Sequence, residues 1–156
     1  MRTRPRAPWL LALCLAALPS SSARSATPPP GGWYQHAYVA TVRGEVKSAL
    51  TDLARAEAGL TGTDRLLCIH DQALLNLGRG DVRQAEELLA RAVELALAGS
   101  GPSSPAFLEC TEILARYLRT LCDEDLLLER MARLLEGKRG LNAFARLLRE
   151  RRGERA

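Results

Sequence analysis

The sequence predicts an all-α fold built from antiparallel helix hairpins. Fourteen residues, Arg43–Ala56, recur 36 residues later as Arg79–Ala92 with eight identical positions. A period of this size is typical of one supersecondary unit that is repeated along the chain. Ala, Leu, Arg and Glu dominate the composition, and aromatic residues make up only 4%. This composition favours helices over strands.

Seven helices follow from the apolar spacing and from the glycine and proline breaks. Val46, Ala49 and Leu53 recur at three- and four-residue steps, which is the stripe of an amphipathic helix. Asp81 and Asp123 are predicted to cap the fourth and sixth helices. The predicted helical spans are 33–43, 45–58, 64–77, 82–98, 106–121, 124–136 and 142–152. Because the connections are short, consecutive helices are expected to pack antiparallel.

The N-terminus predicts an exported protein. Residues 1–25 have the plan of a signal peptide: three arginines, the apolar run Trp9–Leu18, and a cluster of small residues. The run is too short to cross a bilayer as a helix, so no membrane span is expected in the mature chain. The destination is secretion, the secretory-pathway lumen or a bacterial periplasm. A mitochondrial presequence is the alternative, since no acid precedes Glu45. Residues 26–32, with three prolines and two glycines, predict a linker.

Removal of this leader changes the charge balance. The whole chain has 22 Lys+Arg and 18 Asp+Glu, and four of the arginines lie within residues 1–25. The mature chain therefore carries 18 groups of each sign, and the basic excess belongs to the targeting segment. No nucleic-acid partner is predicted on this balance.

The repeat resembles the tetratricopeptide repeat (TPR) family when Gly44 and Gly80 are placed at that family's mid-repeat glycine. Trp33 then falls on the aromatic position of the first helix, and Ala37 and Ala73 fall on its small position. The packing positions of the second helices are occupied by Ala49, Leu53, Ala56, Ala85, Leu89 and Ala92. Small residues at these crossings let neighbouring helices approach, and large ones fill the holes between them.

The resemblance implies a short TPR-like solenoid over residues 33–136. Two repeats are clear, and a third, degenerate unit lies at a spacing of 42. In that unit Cys122 replaces the glycine and Leu127 replaces an alanine, so only a similar shape is expected. Residues 137–156 are interpreted as a basic capping helix and tail, with seven basic and two acidic residues.

The family resemblance also implies a function. TPR units bind peptides or protein segments along the face made by the first helix of each repeat. At the corresponding positions this chain has Tyr34, Tyr38, Thr41, His70, Leu74 and Leu77. Such a set suits a hydrophobic or helical segment. The predicted function is thus an exported, non-enzymatic scaffold that binds a protein or peptide segment; burial of these side chains against neighbouring helices is the alternative.

No cofactor, metal site or enzyme activity is predicted. Cys68, Cys110 and Cys122 lack a CxxC spacing, and His36 and His70 lack a second ligand three or four residues away. Buried thiols are favoured over an intermolecular or a strained Cys68–Cys110 disulfide. The histidines are expected to be hydrogen-bonded or at the surface. Glu86, Glu87 and Glu94 are expected on a solvated helix face.

Gly137-Lys138-Arg139 admits a second hypothesis. A glycine before a dibasic pair resembles a processing site of peptide precursors, and Arg151-Arg152 is a second dibasic pair. The alternative function is therefore a secreted helical signalling protein or a precursor processed at these sites. The favoured interpretation is a cationic turn, in which glycine ends a helix and the cations face its negative end.

Overall fold

A computed structural model describes residues 29–153, so the predicted signal peptide at 1–25 lies outside the described residues. Over this range the structure has seven α-helices and no strand, which confirms the all-α prediction. The helices are α1 Pro30–Val42, α2 Val46–Gly59, α3 Gly62–Gly78, α4 Val82–Ser100, α5 Pro105–Arg119, α6 Glu124–Leu135 and α7 Asn142–Gly153. Each helix packs against the next one along the chain, and α4 additionally contacts α6.

The first helix begins earlier than the sequence predicts. Pro30 opens α1, and Gly31 and Gly32 lie in its first turn, so the predicted linker at 26–32 is wrong for these three residues. Proline suits this position because it has no backbone N–H, and an N–H at the first position of a helix would have no acceptor within the helix. The part of the predicted linker at 26–28 lies outside the described residues.

Two equivalent glycine turns close α1 and α3. Gly44 and Gly80 have φ angles of 75° and 79°, in the left-handed region that favours glycine. In the first turn the Glu45 amide donates to the Ala40 carbonyl at 2.8 Å, and in the second the Asp81 amide donates to Asn76 at 2.9 Å. Both turns therefore have the hydrogen-bonding pattern of a Schellman motif.

The two predicted helix caps differ. The Asp81 carboxylate accepts from the Gln84 amide at 3.3 Å, as expected for an N-cap residue. Asp123 precedes α6 but its side chain makes no capping hydrogen bond, so that prediction is wrong in its detail.

The interior divides into two apolar clusters that share α3. The small cluster consists of Ala37, Leu53, Ala56 and Cys68, from α1, α2 and α3. The main cluster extends from α3 to α7 and includes the fully buried Ile69, Val93, Leu114, Leu135 and Leu141. Because α3 contributes to both clusters, it connects the first hairpin to the rest of the molecule.

A buried carboxylate joins three helices where the two clusters meet. Glu57 of α2 is only 6% exposed. Its oxygens accept from Gln72 Nε2 at 3.0 Å, from the Arg65 guanidinium at 3.3 Å, and from the Arg91 guanidinium. The donors lie on α3 and α4, so one side chain ties α2 to the next hairpin. A carboxylate removed from water needs such partners to remain stable in its charged form.

Replacement of Glu57 with alanine is expected to lower the free energy of unfolding by about 2–4 kcal/mol, because three donors lose their shared acceptor. Arg65 and Arg91 are partly exposed, which keeps the loss below that of a fully buried pair. Urea denaturation measures the change. The control Glu112→Ala removes an exposed pair with Arg116 and is expected to cost less than about 0.5 kcal/mol. Equal costs for the two variants would contradict the role given to Glu57.

Candidate functional site

Exposed apolar side chains concentrate on three helices. Of the nine large apolar residues that are exposed in residues 29–153, six lie on α1, α3 and α5 and none lies on α2 or α4. The six are Tyr38, Val39, Val42, Leu67, Leu74 and Leu108. We call the surface formed by α1, α3 and α5, without α7, the odd-helix face. This concentration on three helices makes their exposed side a candidate interaction site.

Acidic and apolar residues alternate along the exposed stripe of α3. Asp64, Leu67, Asp71 and Leu74 follow one another at steps of three and four residues, which places them on one side of the helix. Leu67 and Leu74 are 50% and 64% exposed. The stripe therefore presents two leucines to solvent with carboxylates beside them.

Tyr34 bridges α1 to α3 at this surface. Its hydroxyl donates to Asp71 Oδ2. Partial burial and then the Asp71 carboxylate raise the pKa of the phenol, so it remains a proton donor at physiological pH. The bond holds the first helix beside the third and partly engages one carboxylate of the stripe.

His70 lies next to this carboxylate. Its Nε2 is buried and has no hydrogen-bond partner, so the expectation that the histidines are hydrogen-bonded or at the surface is wrong for His70. Burial lowers the pKa of the ring, and the nearby carboxylates of Glu109 and Asp71 oppose that shift only in part. The imidazole is consequently neutral near pH 7. His36, by contrast, is exposed and meets the Trp33 ring edge-to-face at 5.8 Å.

The predicted binding residues differ in how accessible they are. Tyr38 and Leu74 are 55% and 64% exposed, so both are open to a ligand. Leu77 packs against the main cluster, and the exposed Thr41 donates its hydroxyl to the Ala37 carbonyl of its own helix at 2.8 Å. Tyr34 and His70 are half-buried.

Sequence reasoning missed several contributors to the face, among them Leu67, Asp71 and Glu109. Leu67 and Asp71 precede the predicted Leu74 by seven and three residues, and helical periodicity alone could have added them. The position of Glu109 near His70 depends on how α5 packs, and no local pattern reports it.

The residues predicted to pack the repeats lie inside the protein or in its turns. Trp33 is half-buried against the small cluster, and the Arg55 guanidinium lies 4.6 Å from the centre of its ring. The remaining helix positions are at most 4% exposed: Ala37, Ala49, Leu53, Ala56, Ala73, Ala85, Leu89 and Ala92.

The three cysteines of the described chain are free thiols. Cys68 and Cys110 are buried, and burial raises the pKa of each thiol to about 11. The Cys68 thiol also donates to the Leu53 carbonyl at 3.2 Å. Cys122 is half-buried in the turn after α5.

The solvated face predicted for α4 is wrong in one respect. Glu86 is 9% exposed and pairs with Arg130 of α6 at 2.6 Å. The helical pattern of α4 is polar on this side, but α6 packs over it. Glu87 is exposed as expected, and Glu94 is half-buried.

Gly137-Lys138-Arg139 forms a turn that is attached to α4. Lys138 Nζ lies 2.8 Å from Glu87 Oε2, and the Arg139 amide donates to Glu94 Oε1 at 2.7 Å. Gly137 has a φ of 77°. Leu141, two residues after Arg139, is fully buried. The candidate processing site is therefore part of a folded connection into α7.

Other site chemistry is sparse in the part of the chain that the structure describes. No group of three or more His, Cys, Asp or Glu side chains there is arranged to hold a metal ion. A pocket of about 230 Å³ opens among the ends of α3, α4 and α5, with Arg65 as the ionisable residue of its lining. Among residues 29–153, no helix combines the length and apolarity that a membrane crossing requires.

Comparisons of the chain with protein-family models, with curated proteins and with solved structures found no match.

The free energy of unfolding is expected to fall as pH decreases below about 6.5, because His70 takes up a proton more readily in the unfolded chain than in the native one. Stability linked to this group is retained above the unfolded pKa and lost below it. Urea denaturation at about pH 7.5 and pH 5.5 measures the loss. His70→Gln is expected to reduce this loss, whereas the control His36→Gln keeps it. An unchanged loss in His70→Gln would contradict the assignment.

The dibasic turn is expected to resist proteolysis because a protease needs an extended backbone and this turn is held by Glu87 and Glu94. Limited trypsin digestion followed by mass mapping measures cleavage after Lys138 and Arg139. In a Glu87→Ala/Glu94→Ala variant this cleavage is expected to be about tenfold faster, which corresponds to about 1.4 kcal/mol of easier opening. Cleavage after Arg43 serves as the internal control, and equal cleavage of the turn in both proteins would contradict the anchoring.

Proposed function

We propose that the chain is an exported, non-enzymatic, TPR-like scaffold that binds a protein or peptide segment on its odd-helix face. The observation that carries the proposal is the concentration of exposed apolar residues on α1, α3 and α5, with none on α2 or α4. In a stack of helix hairpins, alternate helices share one surface. Side chains from several hairpins can therefore contact one ligand.

The repeat interpretation has independent support in the turns. Gly44 and Gly80, 36 residues apart, adopt the same conformation and the same hydrogen-bonding pattern. Consecutive helix packing is compatible with a solenoid of hairpins. Export is proposed on the sequence of residues 1–25, and a mitochondrial location is the alternative.

The geometry of the dibasic turn favours a scaffold over a peptide precursor. Cleavage after Arg139 would separate Leu141 and Ala145 from the core, where they are 0% and 2% exposed. Phe144 would also lose its edge-to-face contact with Phe107, whose ring centre is 5.7 Å away. The helix after the turn is thus an integral part of the fold.

Substitution of one exposed apolar residue of the face is expected to weaken ligand binding without unfolding the protein. Peptides selected from a random phage-displayed library against the purified protein provide the probes. Leu74→Ser and Tyr38→Ser are each expected to weaken their binding about tenfold or more, since burial of one large apolar side chain is worth about 1.5–3 kcal/mol. Fluorescence anisotropy measures the affinity.

Leu147→Ser is the matched control, because Leu147 is 56% exposed on α7 and lies off the odd-helix face. Its affinity for the selected peptides is expected to equal that of the unmodified protein. If Leu74→Ser and Leu147→Ser bound every selected peptide equally well, the assignment of the site to this face would be wrong.

A further inference from the structure

We propose that the odd-helix face takes a cationic amphipathic helix, whose apolar side chains dock on the exposed leucines and whose Lys or Arg side chains lie beside Asp64, Asp71 and Glu109. This inference rests on the proposed function and specifies the chemistry of the ligand.

The first argument is the unbalanced charge of α1 and α3. Helix α1 carries no Asp, Glu, Lys or Arg. The single cation of α3, Arg65, is bound to Glu57 at the junction of the two clusters. Asp64 and Asp71 therefore have no free cation from α3 itself or from α1, and Tyr34 supplies only a neutral hydroxyl to Asp71. A ligand with cations would complement this stripe.

The second argument is the position of Glu109. It follows the exposed Leu108 on α5. Its negative charge acts on His70 of α3, where it opposes the lowering of the pKa by burial. The negative charge of Asp71 acts on the same imidazole. Carboxylates from two helices thus approach a single half-buried ring, which is neutral and supplies no positive charge. Glu109 thus adds a negative charge from α5 to those of Asp64 and Asp71 on α3.

The third argument is spacing. Leucines at 67 and 74 with carboxylates at 64 and 71 repeat every seven residues, about two helical turns. A helical ligand with apolar residues at three- and four-residue steps and cations on its flanks has the same period. Such a ligand can satisfy the apolar and the charged positions of the face together.

The test uses two synthetic helical peptides of about 14 residues, with leucine at every third or fourth position. One carries lysine on the flanks and the other carries glutamine. The lysine peptide is expected to bind the full-length protein about tenfold or more tightly than the glutamine peptide. Its Kd is expected to rise with added NaCl, because salt shortens the Debye length from about 10 Å at 0.1 M to about 3 Å at 1 M.

The variant Asp64→Asn/Glu109→Gln removes two exposed charges of the face and leaves the Tyr34 bond to Asp71 intact. It is expected to weaken binding of the lysine peptide about tenfold and to leave the affinity for the glutamine peptide unchanged. The control Glu45→Gln/Glu150→Gln removes the same number of exposed carboxylates elsewhere and is expected to change neither affinity.

The outcomes separate this inference from the proposed function. If both peptides bound equally and Leu74→Ser weakened both, the binding face would stand and the cationic ligand would be overturned. Failure of both peptides to bind would also overturn it, while the phage-selected peptides would still decide the face. Concentration-dependent dimerisation in sedimentation velocity, abolished by Asp64→Asn/Glu109→Gln, would assign the face to a second copy of the chain and overturn an external ligand.

Discussion

The arrangement of the first two hairpins depends on one buried carboxylate. Glu57 lies near the end of α2 and is surrounded by hydrogen-bond donors. An apolar side chain at this position would leave those donors without an acceptor. Its partners come from α3 and α4, so satisfaction of this charge sets the position of α2 against two helices at once. Apolar contacts tolerate small shifts, whereas a hydrogen-bonded carboxylate with several donors is directional. This network therefore adds directional contacts between the first two hairpins to the less directional packing of the two apolar clusters.

In this arrangement three sides of helix α3 lie in three different environments. One side contributes Cys68 to the small cluster, and a second contributes Ile69 and Ala73 to the main cluster. The third side carries Leu67, Asp71 and Leu74 at the surface. Since two sides are buried, the exposed stripe is held on a rigid support. A binding surface on such a helix needs little ordering when a ligand arrives.

The sequence predicted the fold class and the order of helices because glycine, proline and apolar spacing act locally. The shared conformation of Gly44 and Gly80 follows from the repeated residues around them. Local patterns could not predict the burial of Glu86, because α6 covers it from a distant part of the chain. The same reason explains why Leu77, at a predicted binding position, packs against the main cluster, and why sequence reasoning missed Glu109. Tertiary contacts decide which side of an amphipathic helix remains at the surface.

The division of the interior into unequal clusters has a consequence for motion. Helix α1 buries only Ala37 and Ala40, and its contact with α3 includes the Tyr34 bond to Asp71. Cooperative units with few buried apolar contacts open at a lower free energy than the global core. Amide hydrogens of α1 should therefore exchange with solvent sooner than those of α4, which buries eight residues. Within the odd-helix face, α3 is thus the more rigid helix and α1 the more mobile one. A shift of α1 relative to α3 would let the face accommodate side chains of different size.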